Sequence, residues 1–203
     1  MANWSIPSDT GRFRTVTILT LSRIPVSVSF AFLVLNYRDG WTVVNTVLLL
    51  VLLTILEVSD GLDGYLARKW KVGSEWGAML DPYSDSVARL VVYFGLGAAD
   101  LVSPAVMLLM AFRDVSVAYC RILLTQHGRS VAAMLSGKIK AVVQGVGAYV
   151  AVLSVFLPLV VKSGDPIRIT GIAVSIVVSL VTLWSIGQYA SAALAAVRSK
   201  GNA

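Results

Sequence analysis

Residues 41–69 read WTVVNTVLLLVLLTILEVSDGLDGYLARK. From Trp41 to Leu56 the run is apolar enough to enter a bilayer, yet it continues without a break into Glu57, Asp60 and Asp63. The pattern predicts one helix whose apolar half lies in hydrocarbon and whose polar half projects from it. Outward from it, apolar runs bounded by Gly, Pro and charge predict further spans at 15–37, 80–100, 103–127, 136–161 and 167–197. Six spans of about 20 residues use roughly 120 residues. The expectation is an all-α, polytopic integral membrane protein with six transmembrane helices, forming a single membrane domain over 1–203. The polar segment 1–14, with Arg12 and Arg14, suits a surface arm or interfacial helix.

Composition agrees. Of the 203 residues 57% are hydrophobic and 14% charged, against roughly 45–50% and about 25% in an ordinary soluble domain. A soluble enzyme, a disordered regulator and a disulfide-stapled secreted module are excluded. Cys120 is the only cysteine, so no intrachain disulfide forms. No cleavable signal segment is evident, and the first span is expected to remain in the mature chain. The net charge of +6 points to lipid headgroups, not nucleic acid, because of where the cations fall.

With the N-terminus inside, ten cations face the cytoplasm: Arg12, Arg14, Arg68, Lys69, Lys71, Arg129, Lys138, Lys140, Arg198 and Lys200. Only Arg38, Lys162 and Arg168 face the other side. This asymmetry predicts cytoplasmic termini and a cytoplasmic turn at 68–71. Arg23, Arg89, Arg113 and Arg121 fall within spans. No internal repeat supports an inverted-repeat transporter.

Carboxylates at membrane depth mark a functional site by default. Asp60, Asp63, Gly64 and Ala67 recur at intervals of three and four, on one helical face; Gly77, Asp81 and Asp85 repeat the interval of four on the next helix. Four facing carboxylates repel unless a cation neutralises them, and an oxygen-only set without His or Cys suits Mg²⁺ or Mn²⁺. A purely structural set of ion pairs would need about as many cations at the same depth, and only Arg68 lies in the motif.

The run Asp60-Gly61-Leu62-Asp63-Gly64-Tyr65-Leu66-Ala67-Arg68, then eight residues, then Gly77, Asp81 and Asp85, resembles the signature of the CDP-alcohol phosphotransferases, D-x-x-D-G-x-x-A-R followed by G-x-x-x-D-x-x-x-D. Leu19-Thr20-Leu21-Ser22-Arg23-Ile24-Pro25 resembles the first-helix segment of the phosphatidylglycerophosphate synthase branch. Arg113-Asp114, Arg121, Gly137-Lys138-Ile139-Lys140 with Gln144, and Thr182-Leu183-Trp184-Ser185 with Tyr189 extend the likeness along most of the chain. Thr17 stands where Asn is usual, Asp114 where Glu is usual, and Ser86 where Lys commonly follows the last Asp.

The resemblance implies transfer of a phosphatidyl group from CDP-diacylglycerol to an alcohol, with CMP leaving. It implies Asp60, Asp63, Asp81 and Asp85 as metal ligands for Mg²⁺ or Mn²⁺, and Asp85 as general base. Gly64, Ala67, Arg68 and Gly77 are the implied CDP-lipid contacts. Arg113, Arg121 and Lys138 are the expected acceptor-phosphate contacts, with Lys140 the weaker of the two lysines. The branch implies glycerol 3-phosphate as acceptor, and the family implies a homodimer among membrane lipids. Other acceptors remain open: phosphatidylglycerol, inositol phosphate or serine. A cation transporter would also use intramembrane aspartates, but leaves the D-G-x-x-A-R linkage unexplained. Arg23 has an even choice between ligand contact and an interhelical bond; Glu57 lies one turn before Asp60, where the pattern asks for no acid. His127 reads as a loop residue, and Trp4, Trp41, Trp70 and Trp76 as interfacial belt residues.

Overall fold

A computed structural model describes residues 9–126, 135–161 and 166–201. His127, Arg129, Lys162 and Trp4 lie outside the described residues. The described residues form six helices: α1 (Thr10–Tyr37), α2 (Val43–Trp70), α3 (Glu75–Ala98), α4 (Pro104–Gln126), α5 (Leu135–Val161) and α6 (Ile167–Gly201).

Capping chemistry sets several ends. The Asp9 carboxylate accepts from the Arg12 N–H at 3.0 Å, so α1 starts five residues before the apolar run does. Residues 10–14 therefore continue α1 and form no separate interfacial helix. Thr42 and Asn45 form a reciprocal capping box at the start of α2. Lys71, at φ 55°, ends α2 in the left-handed conformation, donating to the carbonyls of Ala67 and Arg68. Ser74 caps α3 by accepting from the Gly77 N–H at 3.0 Å. That cap, with Glu75 in the first turn, starts α3 five residues before the expected 80 and brings Gly77 inside the helix.

Helix α1 packs against α2 and α3; α4 and α5 both pack on α6; α3 also meets α4 and α5, and α2 meets α5. Phe30, Leu49, Leu96, Met110, Val152 and Val178 are among the buried apolar residues that join these layers. The α1–α3 crossing is close enough that a Cβ on Gly95 would sit 3.0 Å from the Ala31 Cα, so glycine sets that approach.

Among the described residues, four helices are long and apolar enough to cross a membrane: α1, α2, α5 over Ser136–Val160 and α6 over Ile167–Val197. Helices α3 and α4 exist as expected but fall outside that set. Asp81, Asp85 and Arg89 in α3, and Arg113, Asp114 and Arg121 in α4, dilute their apolar runs. The arrangement around them is the reverse of a soluble protein. Val44, Leu108, Phe112, Val142 and Ile169 are exposed, while Arg23, Arg113, Lys140 and Gln144 are buried. An apolar exterior around buried polar groups is what a bilayer selects.

Candidate active site

The two acidic stripes face each other across the α2–α3 turn, as their spacing predicts. What joins them comes from α1. Arg23, only 2% exposed, donates from Nη1 to Asp60 Oδ1 at 2.6 Å, and from Nη2 to Asp81 Oδ1 at 2.8 Å. The same Nη2 pairs with Asp63 Oδ2. One guanidinium thus serves three carboxylates on two helices. Asp63 is the most enclosed of these: Thr20 Oγ1 donates to it at 2.8 Å and the Gly64 N–H at 2.6 Å. Ser84 on α3 donates in turn to the Thr20 carbonyl at 2.5 Å. Thr20 and Arg23 are two of the three polar members of the first-helix segment, and their place in the fold is to brace this cluster.

Asp85 is held separately. Its Oδ1 accepts from Arg89 Nε at 2.8 Å, and Arg89 Nη1 reaches Glu57 Oε1 on α2 at 3.0 Å. The shortage of cations that counted against ion pairing in the sequence is reduced but not removed, since Arg23 and Arg89 arrive from outside the motif yet serve five acids between them. The i, i+4 spacing of Asp85 and Arg89 was the available signal for one of them. Arg23, read as either a ligand contact or an interhelical bond, makes the interhelical bonds, but to acids 37 to 58 positions away that no local spacing could name.

Among the described residues, no three His, Cys, Asp or Glu side chains are grouped so as to hold a metal ion. The donor set still fits a hard cation, because Asp60, Asp63 and Asp81 already converge, through oxygen alone, on a single positive group. Asp85 stands apart from that convergence, on Arg89.

On one side of the cluster lies a groove lined by Asp63, Asp81, Gly64, Ala67, Arg68 and Gly77. All four residues expected to contact the CDP-lipid thus share one concave surface with two of the acids; Thr17, at the usual Asn position, also borders it. On the other side is a second cavity, between α2, α3 and α5, bordered by Arg23, Asp60, Asp85 and Arg89 together with Glu57 and Gln144. The knot of carboxylates around Arg23 forms a partition between the two.

The cationic set assembles beyond Asp85. Arg113 donates to Ser185 Oγ from Nη2 at 2.7 Å and to Asp114 Oδ1 from Nη1 at 2.8 Å. Lys140 Nζ reaches the same Asp114 oxygen at 3.2 Å. Arg121 Nη2 donates to Tyr189 Oη at 3.2 Å. The Tyr189 ring lies 5.6 Å from the Arg113 guanidinium and 5.5 Å from that of Arg121. Arg121 Nε and Asp114 Oδ2 are buried without a hydrogen-bond partner, a condition that ligand sites often show.

Of the two lysines, Lys140 is buried in this set while Lys138 is exposed. Two residues along a helix turn about 200°, so only one of the pair faces inward. The set borders the acids directly. Lys140 lies within electrostatic reach of Asp85.

Comparison with known proteins meets this geometry along nearly the whole chain. Residues 14–197 match the family model described as CDP-alcohol phosphatidyltransferase. The chain is 30% identical over 190 residues to the CDP-diacylglycerol--glycerol-3-phosphate 3-phosphatidyltransferase of Escherichia coli K12, covering 91% of this chain and 97% of the relative. It is similar to the same degree to the proteins of that name from Shigella flexneri serotype 5b and Shigella sonnei. The matched region takes in the bracing arginine on α1, both acidic stripes and the α4–α6 cations, and on that ground the chain belongs to the CDP-alcohol phosphatidyltransferase family.

Proposed function

We propose that this protein transfers the phosphatidyl group of CDP-diacylglycerol to glycerol 3-phosphate, giving phosphatidylglycerophosphate and CMP, in a divalent-metal-dependent reaction. The observation that carries the reading is the acidic cluster with a site on each side: Asp63 and Asp81 edge the groove with Gly64, Ala67, Arg68 and Gly77, while Asp85 lines the cavity beyond, within electrostatic reach of Lys140 in the cationic set. A two-substrate transfer needs a donor site and an anionic-acceptor site meeting at a base. The 30% identity to the phosphatidyltransferases supports this choice of acceptor.

In this reading Gly64, Ala67 and Gly77 let the cytidine and ribose lie against the backbone, and Arg68 contacts phosphate. Asp60, Asp63 and Asp81 would hold Mg²⁺ or Mn²⁺, and Asp85 contributes an oxygen or acts only as base. A divalent ion, when bound, supplies neutralisation of charge at the pyrophosphate. Arg113, Arg121 and Lys140 hold the phosphate of the acceptor, with Lys138 at the mouth. Asp85 takes the proton of the attacking hydroxyl. The new P–O bond forms at the phosphorus bearing diacylglycerol, and the bond to CMP breaks.

CMP release by purified protein, with CDP-diacylglycerol and a panel of alcohols, tests this. Preference for serine, inositol phosphate or phosphatidylglycerol would change the acceptor and leave the reaction class; cation flux without CMP release would overturn the class. Arg121→Ala is expected to raise the KM for glycerol 3-phosphate by roughly 10- to 100-fold, the worth of a hydrogen bond to a charged group. The KM for CDP-diacylglycerol should move much less.

The arrangement proposed for the chain in the membrane has six crossings, both termini and the site at the cytoplasmic face of a bacterial inner membrane, and a homodimer as the assembly. With Cys120 replaced, a cysteine introduced at Trp70 should react with impermeant maleimide only from the cytoplasmic side. Labelling from outside would reverse the orientation.

A further inference from the structure

Asp60, Asp63 and Asp81 share Arg23, whereas Asp85 has a cation of its own. Arg89 stands one turn beyond Asp85 on α3 and turns Nε to it at 2.8 Å, while Nη1 of the same guanidinium meets Glu57 at 3.0 Å. A planar fork delivers two donors in fixed directions, which an ammonium cannot do.

The bridge sits in a space shaped for it. The Arg89 side chain is 11% exposed. Helix α5 closes over it at Gly145, where a Cβ would lie 2.8 Å from Glu57 Oε1 and 3.4 Å from Arg89 Nη1. Any larger residue at 145 would push the pair aside. One turn beyond Arg89, Tyr93 donates to the Gln144 carbonyl at 2.9 Å and fixes α3 to α5 at this level. Three helices therefore enclose one bridge, and the transfer reaction as described uses neither Glu57 nor Arg89.

We infer that Arg89, itself held by Glu57, is a positioning residue that fixes the Asp85 carboxylate toward the acceptor hydroxyl. The inference rests on the assignment of Asp85 as base. Asp85 has two competing attractions close by, the Arg23 centre that holds its three neighbours and Lys140 on α5. The pull of Arg89 from the next turn keeps the carboxylate between them. A reacting group displaced by about 1 Å can lose about 10²-fold in rate.

The test uses full-length protein in lipid nanodiscs, with CMP release followed against glycerol 3-phosphate and CDP-diacylglycerol. Arg89→Gln is expected to lower kcat about 100-fold, with the KM for CDP-diacylglycerol and the unfolding midpoint close to those of the unchanged protein. Arg89→Lys restores charge without the bridge and should regain only part of that rate. Glu57→Gln should lower kcat less, and its loss should vanish in the Arg89→Gln background, because it acts through Arg89.

A kcat for Arg89→Gln within about threefold of the unchanged protein, or losses that multiply in the double variant, would overturn the inference. If Arg89→Gln fails to fold, Glu57→Gln combined with Arg89→Lys decides the same point by the same non-additivity. Failure of the two readings is distinguishable. Unchanged protein that releases no CMP with any alcohol removes the proposed activity and this inference with it. An active protein, inactive as Asp85→Asn and unaffected by Arg89→Gln, removes only the positioning role.

Discussion

Asp85→Asn protein is expected to go on binding CDP-diacylglycerol while its CMP release falls by about 10²–10⁴-fold, the usual contribution of general-base assistance. Asn keeps the shape of the side chain and can still accept from Arg89 Nε, so the geometry around position 85 persists while the basic oxygen is gone. Asp60→Asn and Asp81→Asn should behave differently, losing donor binding along with turnover, because these acids belong to the cluster that edges the groove. Equilibrium binding of a CDP-lipid analogue, measured beside single-turnover CMP release, separates the two behaviours. Near-normal turnover by Asp85→Asn would make Asp85 a spectator. Loss of donor binding as complete as in Asp81→Asn would make it a principal ligand.

Arg23→Met carries the second large effect, and it falls on stability. Removing one partner of a buried ion pair costs about 3–5 kcal/mol, because the other charge is left enclosed. That figure applies to Asp63, whose side chain is 4% exposed; Asp60 and Asp81, at 42% and 55%, are screened by their surroundings and add little. For a chain of this size the loss corresponds to an unfolding midpoint lower by roughly 6–20 °C. Added Mg²⁺ or Mn²⁺ is expected to restore more of the midpoint in Arg23→Met than in the unchanged protein, since the three carboxylates then lack their own cation. A midpoint that does not move would mean that Arg23 carries no neutralising role. Differential scanning fluorimetry in detergent, with and without the ion, reads both.

The helices were legible because each apolar run is bounded by residues that act locally. Asp9 and Ser74 account for the two starts that came five residues early, since a cap extends a helix into sequence whose hydropathy gives no sign of it. The acidic stripes were legible for the same reason, their spacing of three and four being a property of one helix at a time. Which acids each arginine would reach across the fold was not. Arg23 meets its acids through the packing of α1 on α2 and α3, and Arg89 meets Glu57 through the packing of α3 on α2; no local pattern encodes such distances. The choice between Lys138 and Lys140 turned on the phase of α5, which the neighbouring Gly137 did not reveal. The weak hydropathy of α3 and α4 has the same origin as the site, because the charges that lower it are those of the acidic cluster and the cationic set.

The aromatic ring of Tyr189, fully buried between the guanidiniums of Arg113 and Arg121, has a consequence for affinity. A free arginine side chain holds about 2 kcal/mol of rotamer entropy, and a ligand that must immobilise two of them loses much of the binding energy it gains. Stacked against one rigid plate, these two chains have given up that freedom when the protein folds. If the acceptor phosphate binds as proposed, a small, strongly hydrated anion with few atoms through which to gain contact meets donors already at rest, and its dissociation rate, more than its rate of arrival, should register any change that lets the plate turn.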